Sequence, residues 1–228
     1  MVFVKRAHGS WLPSLYRVAL TKQFSTSSEG GGKVYELRTY VVHPRDQRQF
    51  LDLSKEWLHL RFAHSRCLGY WTCELGGGIN DMVHIWEYDS LQHRAEVRQK
   101  LAGDPAWIGN YFSKILPWLQ RQENDVLACL PGTDVKEAPG KGVYELQHVT
   151  WSPDPPHAAS LVKNLARPGA TLLGSWYAAL SKPYLGWLLW HHIDLDNVHK
   201  TALKTDETNK FYVIQSKVLT PTPWSPLK

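Results

Sequence analysis

The sequence lacks the features of a secreted or membrane-spanning protein. It has three cysteines in 228 residues, Cys67, Cys73 and Cys129. They form no C-x-x-C pair, and an odd number of cysteines without an N-x-S/T site argues against a disulfide scaffold. The longest dense apolar patch, residues 185–190, is far shorter than the ~20 residues of a transmembrane helix. A reducing compartment and a chain without a transmembrane segment are therefore expected.

Common catalytic motifs and a strongly basic folded region are also absent. The sequence has no G-x-S-x-G element and no phosphate-binding loop, and the three glycines at residues 76–78 are interpreted as a turn. The formal net charge is +5, but residues 1–32 contribute +3, which leaves +2 for the remaining residues. Nucleic-acid binding needs basic residues clustered on one face of a folded domain, so nucleic acid is not an expected partner.

The N-terminal segment has the composition of a transit peptide. Residues 1–28 contain four basic residues, seven serines and threonines, and no acidic residue. On a helix, the apolar residues would gather loosely on one side and the basic residues elsewhere, which is the form that mitochondrial import recognises. Residues 1–32 are therefore predicted to be a mitochondrial transit peptide or disordered leader.

The remaining sequence is rich in bulky apolar residues and contains an internal repeat. Hydrophobic residues make up 43% of the chain and include 11 tryptophans, which is enough to fill a core in each half. Three short motifs recur in the same order. They are V-Y-E-L at residues 34–37 and 143–146, L-G-x-W at residues 68–71 and 173–176, and an aliphatic residue followed by Trp at residues 85–86 and 189–190. Three matches in register predict a duplicated module.

The first copy has the pattern of an α+β module. Apolar alternation and helical periodicity predict strands at residues 34–42, 68–75, 82–88 and 126–130, helices after Pro44 and at residues 91–102, and an additional amphipathic helix between Asp104 and Pro117. This order, β-α-β-β-α-β with one extra helix, is ferredoxin-like. The second copy follows the same order with a shorter first helix and without the extra one. The predicted boundaries are 33–130 for the first module, 131–142 for a linker and 143–228 for the shortened second module.

Together these motifs resemble the NIPSNAP family. The resemblance covers residues 33–228, and its most specific elements are V-Y-E-L-R-T-Y at residues 34–40, H-L-R at 59–61, A-H-S at 63–65, L-G-Y-W at 68–71, H-I-W-E-Y-D at 84–89, H-R at 93–94, E-V-R at 96–98 and the terminal S-P-L-K. The last tetrapeptide indicates the type-3 branch. The resemblance implies two tandem dimeric α/β-barrel modules, the second shortened.

The same resemblance implies a mitochondrial protein without an established reaction. Its expected role is that of a non-enzymatic adaptor or scaffold in mitochondrial quality control, mitophagy or vesicle traffic, with mitochondrial or autophagy-related proteins as partners. The matrix is the expected location, with a cytosolic or outer-surface pool left open. No cofactor is expected, and the sequence leaves open whether barrel modules pair within one chain or in a homo-oligomer.

A small-molecule site is the alternative hypothesis. His84 and Trp86 lie two residues apart on a predicted strand and therefore share a face. If that face lines a barrel cavity, these residues with Trp71 and His64 could hold a flat ligand, as in the haem-degrading monooxygenases to which the resemblance extends. The other interpretation is a hydrogen-bonded core histidine among packing aromatics. His59 and His64 lie about 140° apart on a helix, so no metal site is expected.

Overall fold

The computed structural model describes residues 32–228, except 152–154, 164, 181–183 and 203–210. Residues 1–31 of the predicted leader lie outside the described residues. The strands are β1 (Val34–Val42), β2 (Arg66–Leu75), β3 (Asp81–Tyr88), β4 (Leu119–Cys129), β5 (Val143–Trp151), β6 (Ala170–Ala178), β7 (Leu185–His192) and β8 (Phe211–Pro221). The helices are α1 (Gln47–Trp57), α2 (His59–Phe62), α3 (Leu91–Ala102), α4 (Ser113–Ile115), α5 (Pro155–Lys163) and α6 (Leu195–Ala202).

The eight described strands close into one antiparallel barrel in the order β1-β3-β2-β8-β5-β7-β6-β4. Each half of the chain contributes four strands. The halves meet where β2 pairs with β8 and where β4 pairs with β6. The barrel is therefore closed within a single chain, which answers the question of pairing that the sequence left open.

Large apolar side chains fill the inside of the barrel. Successive strand residues point to opposite faces, and the inward set forms one cluster. Its largest members are Tyr35, Trp71, Tyr144, Trp176 and Trp187. The L-G-x-W repeat has a packing reason, since a side chain at Gly69 would overlap the indole of Trp71 and one at Gly174 would overlap that of Trp176. The barrel interior is thus a packed core rather than a ligand chamber.

Helices cover the outer faces of the sheet. In the first half, α1 to α3 and a helical segment of residues 107–118 pack on the outward side chains of β1 to β3. This segment consists of a π-helix (Trp107–Phe112), α4 and a 3-10 turn (Leu116–Trp118), and it begins where the Asp104 carboxylate accepts the backbone N–H groups of Ala106 and Trp107. In the second half, α5 covers a smaller apolar cluster.

Most predicted elements of the first half are present, with differences at their ends. The bounds of β1 and α3 agree with the prediction, and the extra helical segment is present. By contrast, β4 begins at Leu119, seven residues before the predicted start. The polar stretch between Leu119 and Val126 was not predicted as strand, because this part of β4 pairs only with β1 and its other edge faces solvent, where polar residues are favoured. The predicted loss of a helix from the second half falls largely on residues 203–210, outside the described residues.

Candidate ligand-binding site in the first half

The structure brings two of the four predicted site residues together. His84 and Trp86 are buried side by side on the outer face of β3, where they line a cavity of about 190 Å³ beneath the 107–118 segment. Trp71 lies on the opposite face of the sheet, because it pairs in register with inward-facing Val83. His64 is half-buried in the turn after α2 and is not part of the lining. The structure therefore places His84 and Trp86 at one cavity, and His64 and Trp71 outside its lining.

His84 is held in one orientation and one tautomer. The indole Nε1–H of Trp86 donates to Nδ1 of His84 across 2.6 Å. The imidazole stacks on Tyr70 with a ring distance of 4.4 Å and meets the edge of Tyr40 at 4.8 Å. Burial, with the positive charges of Arg38 and Arg61, holds the pKa of His84 well below its ordinary value, so the ring is neutral. In a neutral ring whose Nδ1 accepts a hydrogen bond, Nε2 carries the proton.

The Nε2 atom of His84 is buried and has no hydrogen-bond partner among the described residues. Arg38 lines the same cavity, and its Nε atom is also buried and without a hydrogen-bond partner among the described residues. Buried polar groups are nearly always satisfied in folded proteins, and each exception needs an explanation. The hydroxyl of Tyr70 is a third such group, so three side chains that line one cavity each carry a buried polar atom without a partner among the described residues.

Arg61 is a buried cation with no acidic partner in the described part of the chain. Its guanidinium lies 3.9 Å from the ring centre of Trp86 and donates to Ser65 Oγ at 2.5 Å and to Tyr88 Oη at 2.6 Å. No carboxylate of the described residues lies within ion-pair distance of it. Burial lowers the pKa of Arg61, and the nearby charge of Arg38 acts in the same direction.

Glu36 is a fully buried carboxylate behind the cavity. It accepts hydrogen bonds from Arg94 at 2.6 Å, Tyr88 at 3.0 Å and Asn124 at 3.1 Å, with Arg38 at 3.5 Å. Burial alone would raise the pKa of Glu36, but the hydrogen bond from Arg94 and the charges of Arg38 and Arg94 outweigh it, so the pKa is lowered. Tyr88 thus links Arg61 to Glu36 in one continuous polar network.

The cavity lining is cationic and aromatic. Arg38, Arg61 and exposed Arg98 contribute to it, whereas no aspartate or glutamate does so among the described residues. The apolar wall consists mainly of aromatic and aliphatic side chains, namely Tyr40, Leu58, Tyr70, Trp86, Leu101, Trp107, Ile108, Tyr111, Phe112 and Ile115. The sheet and helices therefore enclose a space whose lining combines hydrogen-bond donors with apolar surface.

A haem group does not fit this cavity. Its volume of about 190 Å³ is below the roughly 300–1,000 Å³ of sites that bury a drug-sized ligand, and haem exceeds such ligands in size. In addition, Nδ1 of His84 is occupied by Trp86 and Nε2 carries the proton, so neither ring nitrogen offers a free lone pair to an iron atom.

The second half keeps the buried glutamate but not the cavity chemistry. Glu145 occupies the place of Glu36 and binds Arg167 at 2.7 Å and His192 at 3.1 Å. In the strand register, Leu188 occupies the place of His84, Gln147 that of Arg38 and Ser175 that of Tyr70. The candidate site therefore belongs to the first half.

Several residues of this site were not predicted from the sequence. Glu36 lies inside the V-Y-E-L motif that recurs in both halves, and Arg38 and Tyr40 follow it at steps of two on the same face of β1. A charged residue at the centre of a repeated apolar strand was the available signal. Arg61 had no such signal, because a helical arginine is usually exposed.

The described residues offer neither a metal site nor a membrane span. No group of three or more His, Cys, Asp or Glu side chains among them is arranged to hold a metal ion. Within the same part of the chain, no helix combines the length and apolarity needed to cross a bilayer.

The fold and the flanking helices define the class of this protein, an α/β-barrel protein whose eight antiparallel strands come from one chain. Sequence comparisons define the family. The NIPSNAP family model matches residues 35–132. The protein NipSnap homolog 3A of Pongo abelii is 32% identical over 218 residues, covering 86% of this chain and 87% of the relative, and NipSnap homolog 3B of Mus musculus is 31% identical over 219 residues, covering 88% of each. The chain belongs to the NIPSNAP family, and these relatives support its type-3 branch.

A solved structure is similar in fold alone. The putative monooxygenase of Fusobacterium nucleatum superposes with a TM-score of 0.61 over 84% of this chain and 93% of its own, with 10% sequence identity. At that identity, the likeness concerns the path of the chain and not its chemistry.

Proposed function

We propose that this chain is a small-molecule-binding protein whose ligand occupies the first-half cavity and leaves chemically unchanged. The observation that carries the proposal is the imidazole of His84, a cavity-lining residue, which is fixed by Trp86 and Tyr70 and carries a buried Nε2–H that has no partner among the described residues. Holding an unpaired donor in a low-dielectric site costs free energy, and a ligand acceptor removes that cost.

The same geometry favours binding over catalysis. A general base needs an available lone pair, but Trp86 occupies the one on His84. Burial raises the pKa of Tyr70 well above its ordinary value, so its hydroxyl stays protonated. The described lining includes no carboxylate and no thiol that could act as a nucleophile.

A blocked cavity tests the proposal. Ala102 lines the cavity and is exposed, so we expect Ala102→Trp to obstruct the cavity without disturbing the core. Glu96 is exposed on the same helix but does not line the cavity, which makes Glu96→Trp the matched control. A fragment library screened by thermal shift should give hits that Ala102→Trp abolishes and Glu96→Trp keeps. If every hit survived Ala102→Trp, the first-half cavity would not be the binding site.

A mitochondrial location and a duplicated origin belong to the same proposal. The basic, hydroxyl-rich composition of residues 1–32 supports import into mitochondria. The correspondence of Glu36 with Glu145 supports an origin of modules 33–130 and 143–228 by duplication. A chain beginning at residue 33 should remain in the cytosol when the full-length chain enters mitochondria. Equal import of both would remove the role assigned to the leader.

An adaptor role is the second candidate, and one surface favours it. Tyr212, Val213 and Ile214 in the first part of β8 are 78%, 43% and 53% exposed. Exposed apolar runs on a strand are typical of protein-binding surfaces. In proximity labelling, the double change Tyr212→Ser and Ile214→Ser should remove mitochondrial or autophagy partners that the wild type labels. Leu91→Ser, at a separate exposed site, is the control. Identical labelling by all three chains would exclude this surface.

A further inference from the structure

We infer that the ligand of the first-half cavity is a small organic carboxylate with an apolar, single-ring or short-chain body. This inference rests on the proposed function and adds the charge and size of the ligand. Three features of the cavity support it: an excess of positive charge over the described carboxylates, hydrogen-bond donors without partners among the described residues, and an aromatic wall of limited volume.

The first feature is the balance of charge around the cavity. Arg61 is buried, Arg38 and Arg94 are partly buried, and Glu36 is the described carboxylate that Arg38 and Arg94 contact. Arg94 takes the short contact at 2.6 Å, and Arg38 is left with a long one at 3.5 Å. Arg61 reaches Glu36 only through the hydroxyl of Tyr88. Since a buried charge is costly unless it is paired, a ligand anion supplies to Arg61 the counter-charge that no described residue provides.

The second feature is the set of hydrogen-bond donors on the lining side chains that have no partner in the described part of the chain. An arginine carries five N–H donors, and Arg61 uses two of them on Ser65 and Tyr88. His84 Nε2 and Arg38 Nε are donors without partners among the described residues. A planar carboxylate, with two oxygens that each accept from such donors, matches this arrangement and the fork geometry of arginine.

The third feature limits the body of the ligand. Trp86, Trp107, Tyr111 and Phe112 form an aromatic wall, so an acid without an apolar body would leave this wall without a contact. A dry apolar cavity of about 150 Å³ accepts benzene. A cavity of about 190 Å³ therefore accommodates one ring or a short alkyl chain in addition to the acid group.

The same features argue against other charge classes. A cationic ligand would face Arg38 and Arg61 with no described lining carboxylate to receive it. Inorganic phosphate would satisfy the arginines but bury no apolar surface, so most of the cavity would contribute nothing to its affinity.

Isothermal titration calorimetry of the full-length chain tests the inference with four probes. Three share one body and differ in charge: 3-phenylpropionate, 3-phenylpropanamide and 3-phenylpropylamine. Inorganic phosphate is the fourth. We expect 3-phenylpropionate to bind at least about tenfold more tightly than the amide, while the amine and phosphate give no binding heat. Arg61→Met should lower the affinity for 3-phenylpropionate by about tenfold or more and change the affinity for the amide by less than about twofold.

Each opposite result has a defined meaning. Equal affinity for the amide and the acid, or an acid affinity unchanged by Arg61→Met, overturns the inference; if Ala102→Trp still abolishes that binding, the proposed function stands. Absence of binding by all four probes overturns the inference as well, and the fragment screen then decides the proposed function separately.

If Arg61→Met does not fold, Arg61→Lys keeps the charge but removes the planar guanidinium, and Arg98→Met, at an exposed lining position, is a second variant. Both should weaken the acid more than the amide.

Discussion

The indole N–H of Trp86 donates to Nδ1 of His84 across 2.6 Å, two residues away on the same face of β3. This bond fixes which nitrogen of His84 carries the proton and leaves the remaining N–H at a cavity-lining position. A pair that resembles a simple packing contact in the sequence therefore determines the hydrogen-bonding character of the site.

Replacing the donor should destabilise the first half. Trp86→Phe keeps an aromatic ring but removes the N–H, which leaves a buried acceptor on His84 unpaired and reduces the aromatic surface beneath Arg61. We expect the free energy of unfolding in urea to fall by about 1–3 kcal/mol. Trp57, half-buried and outside the cavity lining, provides the control Trp57→Phe. Equal losses of unfolding free energy in both variants would show that the hydrogen bond to His84 does not contribute specifically to stability.

Buried Glu36 should contribute more to the free energy of unfolding than exposed Glu123 does. Glu36→Gln removes the charge that neutralises Arg94 and Arg38, whose side chains are 20% and 16% exposed, so the cost should lie below the roughly 3–5 kcal/mol of a fully buried pair and above about 1 kcal/mol. Glu123 pairs with Arg121 while 53% exposed, so Glu123→Gln should change the free energy of unfolding by less than about 0.5 kcal/mol. Chemical denaturation measures both. A small effect of Glu36→Gln would mean that the network around Glu36 is not needed for stability.

Stability should fall in mildly acidic solution because of His84. Its pKa is held below the ordinary value of 6.5 in the folded chain, so below pH 6.5 the unfolded chain binds more protons. The free energy of unfolding therefore carries no penalty from His84 above pH 6.5, and it decreases as the pH falls from 6.5 toward the pKa of His84 in the folded chain. In denaturation curves recorded from about pH 7.5 to about pH 5, His84→Asn should reduce this dependence of stability on pH. His59→Asn, at an exposed position, should keep it. A pH dependence unchanged by His84→Asn would contradict the assigned burial.

The glycines of the repeated L-G-x-W motif should not tolerate a side chain. Gly69→Ala and Gly174→Ala place a methyl group into the indoles of Trp71 and Trp176 inside the barrel, where overpacking costs about 1–3 kcal/mol. At Gly109, which lies in a helix, an added methyl group would meet no atom within 4 Å, so Gly109→Ala should be neutral or stabilising by up to about 1 kcal/mol. Thermal melting compares the three variants. Unchanged stability in Gly69→Ala would show that Trp71 can move.

The order of elements in the first half was predictable because its patterns are local. Alternation over β1 and the Asp104-Pro105 start of the helical segment depend on neighbouring residues. The start of β4 was not predictable, because its polar first residues form a strand only through pairing with distant β1. Sheet register is likewise a long-range property.

The candidate site was half predictable for the same reason. His84 and Trp86 share a face by strand periodicity, which needs no tertiary information. The separation of Trp71 from them depends on the register that places Tyr70, and not Trp71, opposite His84. The buried state of Arg61 depends on how α2 packs over β3, which no local pattern records.

The most direct test of the ligand-binding account is a long-range ¹H–¹⁵N NMR spectrum of the His84 imidazole, assigned by its loss in His84→Asn. The account predicts a proton on Nε2 and none on Nδ1 in the free protein, because Nδ1 accepts from Trp86. Addition of 3-phenylpropionate should move the Nε2–H resonance downfield in the wild type and in Glu96→Trp but not in Ala102→Trp. A proton on Nδ1 would contradict the account of the site, and an Nε2–H resonance unmoved at saturating acid would contradict a carboxylate ligand at His84.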